Sequence, residues 1–369
     1  MGEEFDVMEN QNVVDTMKET DRKCPCCGGT MDFDPMTGGL YCPYCDHREE
    51  IAHQVTEPEK ASEISLEDAE NIENCNWGIA TKMVICKSCG AESVYDMQEI
   101  SAVCPYCGSN QVMEAGDEHT MAPGGVVPFA IDAKTASSRF MAWLKSKFFA
   151  PKAAKNSVQP DKFKGMYLPY WTFDSDTYST YTAEYGKDRY VKNRDGSEKT
   201  VTDWFRTSGT YSQFINDELV CGTTQHDPGL LGGVAPYNTE DNKAYKPEYV
   251  AGFGAERYTV GVKEAWEKAK QFIKSKLNNA IASVIRSEHN ADHVRNLNVN
   301  TTFTNVTFKY LLLPVWVSSF KYKDKVYKFM VNGQTGRVSG TAPVSVPKVI
   351  LTILVIIAVI ALIRFFALQ

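Results

Sequence analysis

The chain has 369 residues, 43% of them apolar, a composition ordinary for a globular protein with room for two or three domains. Its net charge of −7 is unevenly divided: residues 1–125 carry 25 Asp and Glu against 7 Lys and Arg, a net of −18, and residues 126–369 carry 21 acids against 32 bases, a net of +11. So acidic an N-terminal third has no basic face to meet phosphates, which argues against nucleic-acid binding by that part.

Residues 1–21 read as an acidic, polar arm with only weak helical spacing. Two cysteine cassettes follow, one in 22–48 and one in 82–112. The first is Cys24-Pro25-Cys26-Cys27 with Cys42-Pro43-Tyr44-Cys45, and the second is Cys86-Lys87-Ser88-Cys89 with Cys104-Pro105-Tyr106-Cys107. Fourteen residues separate the pairs in both, and every cysteine of the second set lies 62 positions after its counterpart. Paired CxxC knuckles at this separation are the sequence form of a zinc ribbon, in which four thiolates surround one Zn²⁺. The expectation is two structural Zn²⁺ sites, one held by Cys24, Cys27, Cys42 and Cys45 and one by Cys86, Cys89, Cys104 and Cys107. A knuckle turn needs positive φ after its second cysteine, which Gly28, Gly90 and Gly108 supply. Asp46 takes that place at the remaining knuckle, a poorer choice.

Four protein ligands close the shell and leave no position for an activated water, so a catalytic zinc is not expected. A rubredoxin-like iron site and two disulfides per cassette are the competing readings, and the spacing favours zinc over both. Cys26, Cys75 and Cys221 fall outside the ligand sets. Cys26 is read as a small residue tolerated on its turn, the other two as small buried hydrophobes. Reduced tetrathiolate sites imply a reducing compartment.

Between the cassettes, 49–81 reads as an acidic linker in which Ile64, Leu66, Ala69 and Ile72 predict a modest helix. Ala122-Pro123-Gly124-Gly125 marks a boundary. Residues 126–342 then read as one α+β body in two diverged halves, about 126–225 and 245–342. Each half runs helix (133–149, 262–286), Leu-Pro-x-Trp strand, then hairpin; the phrase recurs at 168–171 and 313–316. Asn332-Gly333 predicts the last hairpin turn, and the long loop 227–247 crosses between the halves.

The C-terminal 347–368 predicts a transmembrane anchor. Val349–Leu368 is twenty residues interrupted only by Arg364, and as a helix it spans about 30 Å. The acidic start lacks the apolar region of a signal peptide. The chain is therefore expected to be a single-pass protein of the cell membrane, with everything before the anchor in the cytoplasm; the thiol sites set that orientation.

No chemistry-bearing motif appears. GxxxxGK[ST], GxSxG and HExxH are all missing, and Gly252-Phe253-Gly254 lacks the third glycine of a dinucleotide loop. His289 and His293 are four apart but read as the exposed end of a helix, and His226-Asp227 reads as part of an Asp-Pro-Gly turn. No catalytic or cofactor-binding residue is assigned, no small-molecule substrate is identified, and an enzyme is not expected.

The twin cassettes, Ala235-Pro236-Tyr237-Asn238-Thr239-Glu240-Asp241, Gly252-Phe253-Gly254-Ala255-Glu256-Arg257-Tyr258, Leu313-Pro314-Val315-Trp316 and the terminal apolar segment together resemble bacterial membrane-anchored TFIIB-type zinc-ribbon proteins. Members of that group are often mislabelled primosomal protein N′ or helicase-like, a label the missing nucleotide loop contradicts. The resemblance implies a recruiting role beside PspA-like and flotillin-like membrane-stress proteins. The leading expectation is a non-catalytic, tail-anchored scaffold whose cytoplasmic zinc ribbons, a kind of zinc finger, make protein–protein interactions. The alternative is a membrane-associated nucleic-acid-binding zinc-ribbon protein that uses the +11 body for its phosphate contacts.

Overall fold

The computed structural model describes residues 23–29, 31–51, 59–70, 81–86, 92–96, 112–114, 121–156, 163–192, 196–323 and 325–367, with backbone alone at 70, 81–86, 92–96, 112–114, 156 and 365–367. The acidic arm, Cys75 and most of the second cassette lie outside these residues. The class is mixed α+β.

Strands β1 (Asp32–Asp34), β2 (Gly39–Tyr41) and β3 (Arg48–Glu49) form a small antiparallel sheet in that order. A larger sheet takes β4 (Ile64–Ser65), β5 (Thr81–Cys86), β6 (Glu92–Asp96), β7 (Val112–Glu114) and β8 (Gly125–Val126). Helices α1 (Ala133–Ser146) and α2 (Lys152–Asn156) lead into β9 (Lys164–Lys192), which folds back as β10 (Glu198–Cys221). The crossing segment holds α3 (Pro228–Val234), β11 (Lys243–Ala244) and β12 (Gly254–Ala255). Then come α4 (Val262–His289), β13 (His293–Tyr322), β14 (Lys325–Asn332), β15 (Val338–Gly340) and α5 (Val346–Ala367).

Two strands of 29 and 30 residues dominate, each reaching about 95 Å if fully extended. They pair antiparallel along nearly their whole length, from His293↔Gly186 to Val317↔Lys164. Leu168 lies directly opposite Leu313, so the two Leu-Pro-x-Trp phrases meet near the Lys164–Val317 end of the pairing. The order helix, long strand, hairpin occurs twice along the chain. Three register shifts interrupt these strands, and Asp217, Asn296 and Asn305, all with φ near +50°, lie at them. Asn and Asp tolerate the left-handed conformation that a bulge often demands.

Where the chain is apolar on both faces, β9 and β13 are buried on both: Tyr167, Trp171 and Phe173 face one core, and Met166, Leu168 and Tyr170 the other. Beyond residue 175 the alternation becomes strict. Thr177, Ser179, Tyr181 and Ala183 are buried, while Tyr178, Thr180 and Thr182 are exposed. Helix α4 covers the buried side with Ile273, Leu277, Ile281 and Ile285, which recur every four residues. Asn290 (φ 47°) ends α4, its N–H bonding back to Arg286 and Ser287 carbonyls.

The connector differs from expectation. Instead of a helix, Ile64 and Ser65 pair with Phe308 and Thr307 of β13, and residues 66–70 form a short 3₁₀ turn. Ala61 N–H bonds Asn242, and Glu63 pairs with Lys309, so this acidic segment lies on the body. Weak helical spacing lost to a sheet edge offered from 240 residues away.

The loop 227–247 lies between β10 and α4 in chain order, and it is tied down at the β14–β15 turn. Asn332, fully buried, donates to the carbonyls of Val234 (2.9 Å) and Pro236 (3.2 Å) and accepts from the N–H groups of Gln334 and Thr335 (2.8 Å each). At Gly333 a Cβ would fall within 2.7 Å of Phe129 and Pro314, so the turn's glycine is there for close approach. Replacing Asn332 by Ala strands these buried groups and is expected to lower stability by about 2–4 kcal/mol. Asn332→Asp is expected to fare no better, since a carboxylate cannot donate to the two carbonyls. Chemical denaturation of the full chain in detergent reads both, and an unchanged midpoint for Asn332→Ala would refute this account of the turn.

Candidate metal centre

The first cassette builds two knuckles with the same backbone bonds. In one, Gly28 N–H reaches Cys24 O (2.8 Å) and Cys24 N–H reaches Gly29 O (2.7 Å). In the other, Asp46 N–H reaches Cys42 O (2.9 Å) and Cys42 N–H reaches His47 O (2.8 Å). Gly28 (φ 74°) and Asp46 (φ 58°) hold the left-handed position that the spacing required of them.

These turns bring four sulfurs together, all within 4.8 Å of one another. Cys24 Sγ lies 3.5 Å from Cys45 Sγ, and Cys27 Sγ lies 3.5 Å from Cys42 Sγ. A disulfide would need about 2.05 Å, so these are thiols. Four sulfurs about 2.3 Å from a central ion would lie about 3.8 Å apart, which the cluster fits. Cys24, Cys27, Cys42 and Cys45 are thus close enough to hold a metal ion. Cys86 ends β5, while Cys89, Cys104 and Cys107 lie outside the described residues.

Electrostatics around the sulfurs are uneven. Partial burial raises the Cys24 thiol, but the N–H groups of Cys26 and Cys27 and the Cys45 thiol outweigh it and draw its pKa down to about 6. Cys45 gains from the His47 N–H, yet Cys24 and Cys27 more than offset this and push it up to about 12. Cys27 shifts upward too: the Gly29 N–H favours its thiolate, but Cys42 opposes it. Near neutral pH a bound ion must therefore displace protons from Cys27 and Cys45.

Cys26 stays out of the cluster, exposed, with Sγ 3.4 Å from His47 Nδ1. Cys221, half-buried, lies with its thiol 3.8 Å from the Pro169 carbonyl, and burial pushes that thiol up to about 12.

The cysteine module docks on the body, a relation the sequence reading did not foresee. Phe33 N–H bonds Ala251 O (3.1 Å), and the buried Phe33 ring meets Tyr249 edge-on at 5.8 Å. Phe253 lies 6.5 Å away, stacked in turn on Phe129 at 4.3 Å. A cleft of about 590 Å³ opens beside this contact, lined by Asp34, Arg48, Lys134 and Lys164 among others. Gly252-Phe253-Gly254, the incomplete nucleotide motif, is this docking loop and the start of β12.

The other sites weighed from sequence come apart. His289 ends α4, stacked on Tyr185 at 4.1 Å, and His293 starts β13, 3.0 Å from Asp188. The left-handed Asn290 between them directs each to its own partner. Asp227 caps α3 by accepting from Leu230 N–H, while His226 Nε2 meets the buried Glu256 at 2.8 Å. Glu63, Asp174 and Asp217 converge beside Lys309, an ion-pair group that no local motif announced. Burial opposes the charge of Lys309, but Asp217 and Glu63 more than compensate and raise its pKa.

No family model matches the chain, and no solved structure matches it. YdjG of Bacillus subtilis (strain 168), described as an uncharacterized protein, is 28% identical over 337 residues, covering 89% of this chain and 91% of that one.

Substituting the buried Cys42 by Ser is expected to remove one metal equivalent from the purified full chain, measured by elemental analysis against wild type. Because binding releases protons, the retained metal should also fall as pH is lowered from 8 to 5. Equal metal content in Cys42→Ser and wild type would contradict the assignment.

Proposed function

We propose that this chain is a non-catalytic membrane adaptor. Its four-cysteine centre holds a structural Zn²⁺ in a zinc ribbon, and the second cassette, Cys86, Cys89, Cys104 and Cys107, holds another. Helix α5 is the anchor: it is long and apolar enough to cross a membrane, and none of its most apolar stretch is buried against the body. The protein is read as single-pass in the cell membrane with its N-terminal part cytoplasmic, since the thiols require a reducing side. The two halves of the body are read as diverged copies, supported by their repeated element order and by Leu168 facing Leu313.

The observation that carries the reading is a closed four-thiol centre on a module that docks on the body through Phe33. A fully ligated ion has no open position for chemistry, so its contribution is to fix a surface. We assign to that surface the recruitment of protein partners. PspA-like and flotillin-like membrane proteins are the class implied by the resemblance.

Affinity purification of the detergent-extracted full chain tests this, comparing wild type with Cys24→Ser and Cys42→Ser. Protein partners are expected with wild type and reduced at least five-fold with both variants. Recovery of nucleic acid instead, with binding that falls steeply as salt rises, would replace the adaptor by a phosphate-binding role for the body.

A further inference from the structure

From residue 133 to 156 the chain carries six Lys and Arg and no Asp or Glu. Helix α1 spends its apolar side on the body: Ala136, Phe140 and Leu144 are buried, and Phe140 stacks on Phe329 at 3.6 Å. The loop after it does the opposite. Phe148 and Phe149 stand together at 5.2 Å, the first 70% exposed and the second 38%. Adjacent exposed phenylalanines between Lys147 and Lys152 forgo burial that a soluble surface would normally claim.

This loop is fastened to the base of α5. Ser345 N–H donates to Phe149 O (2.9 Å). Lys348 Nζ, in the first turn of the helix, donates to Phe148 O (2.9 Å) and Ala150 O (3.0 Å), and lies 5.7 Å from the Phe148 ring centre. The aromatic pair is thereby held level with the start of the apolar helix, beside the exposed Val344 and Val346. Lys145, Lys147 and Lys152 are exposed around it.

We infer that the loop 147–151 is an interfacial membrane contact of the body. Phe148 and Phe149 insert at the boundary of headgroups and acyl chains, in the leaflet where α5 begins, and the surrounding lysines meet anionic lipid phosphates. Continuity with the apolar helix selects a lipid surface as the occupant, and the acid-free stretch selects anionic headgroups. The inference rests on α5 being a membrane span. Lys348 is then a strut: by holding the loop carbonyls it sets the height of the body over the bilayer.

The test places a photoreactive p-benzoylphenylalanine at one position at a time in the full chain, reconstituted in vesicles of phosphatidylcholine with 30% phosphatidylglycerol. The positions are Phe148, Phe149, Val355 within α5, and Tyr178, an exposed residue on the distal sheet. Lipid adducts are read by mass spectrometry. Expected are adducts at 355, 148 and 149 at least five-fold above those at 178, with 148 and 149 falling at least three-fold in pure phosphatidylcholine. Adducts at 355 alone, or protein adducts in place of lipid at 148 and 149, overturn the loop contact and leave the span intact. Strong adducts at 148 and 149 that ignore lipid charge overturn the role of the lysines. Background levels at 355 as well would defeat the reading of α5 and this inference with it.

Discussion

The antiparallel pairing of β9 with β13 is the constraint on which the rest of the molecule is arranged. A strand pair this long has backbone to satisfy on both outer edges and side chains to bury on at least one face. Toward the end where Lys164 meets Val317 the flanking edges are taken by short strands from elsewhere: β8 beside β13 and β12 beside β9. Farther out, β10 covers one edge of β9 and α4 covers one face. A helix of 28 residues, about 42 Å long, suits that task, which gives a physical reason for its length. With α4 in place, the opposite face can be Thr, Ser and Asn, as it is at Thr180, Thr182, Ser208, Thr210, Asn298 and Asn300.

The apolar end of the same pairing is where the chain's distant segments are joined. Lys309 on β13 ties Glu63 from the acidic connector to Asp217 from β10, and Trp316 Nε1–H donates to Ile131 O ahead of α1. The aromatic series Trp316, Phe253, Phe129 and Tyr249 ends on Phe33 of the cysteine module. A module of some thirty residues has little core of its own, with Met31, Phe33 and Leu40 as its main buried side chains. It therefore draws stability from two sources, the ion its thiols would hold and the body it leans on. Losing either weakens both the module and the surface it presents.

How much of this was legible in the sequence depends on how local the cause was. The two knuckles of the first cassette were legible, because CxxC spacing and the residue after the second cysteine are settled within six residues; Gly28 and even the less favourable Asp46 behave as read. Helices α1 and α4 were legible to within three residues at their ends, since the apolar period is a property of each helix alone. The full length of β9 and β13 was not, because apolar runs mark only 167–173 and 310–317. Past those, half of each strand faces solvent and reads as loop composition. Tyr178 and Tyr181 show the difficulty: three apart, they fall on opposite faces, one exposed and one under α4. The connector was misread for the same reason, as its partner strand is far away in sequence. Phe33 gave no signal at all, being a lone aromatic whose meaning exists only against Tyr249 and Phe253.

The uneven charge acquires a structural sense once these contacts are in place. The acidic N-terminal portion does not simply trail from a basic body; Glu63 pairs with Lys309 where the two meet. The basic excess that remains is concentrated elsewhere, in the acid-free run from 133 to 156 next to α5. Opposite charges thus bind the chain to itself at one place, while at the other a positive surface stays outward-facing. On the reading of α5 as a span, that surface faces a leaflet whose phosphates attract it, while the acidic portion is repelled from the same plane. On that reading the attraction acts in concert with the Lys348 contacts to orient the body over the bilayer. A single flexible anchor would leave such an orientation free, whereas an anchor braced by a loop and biased by charge does not.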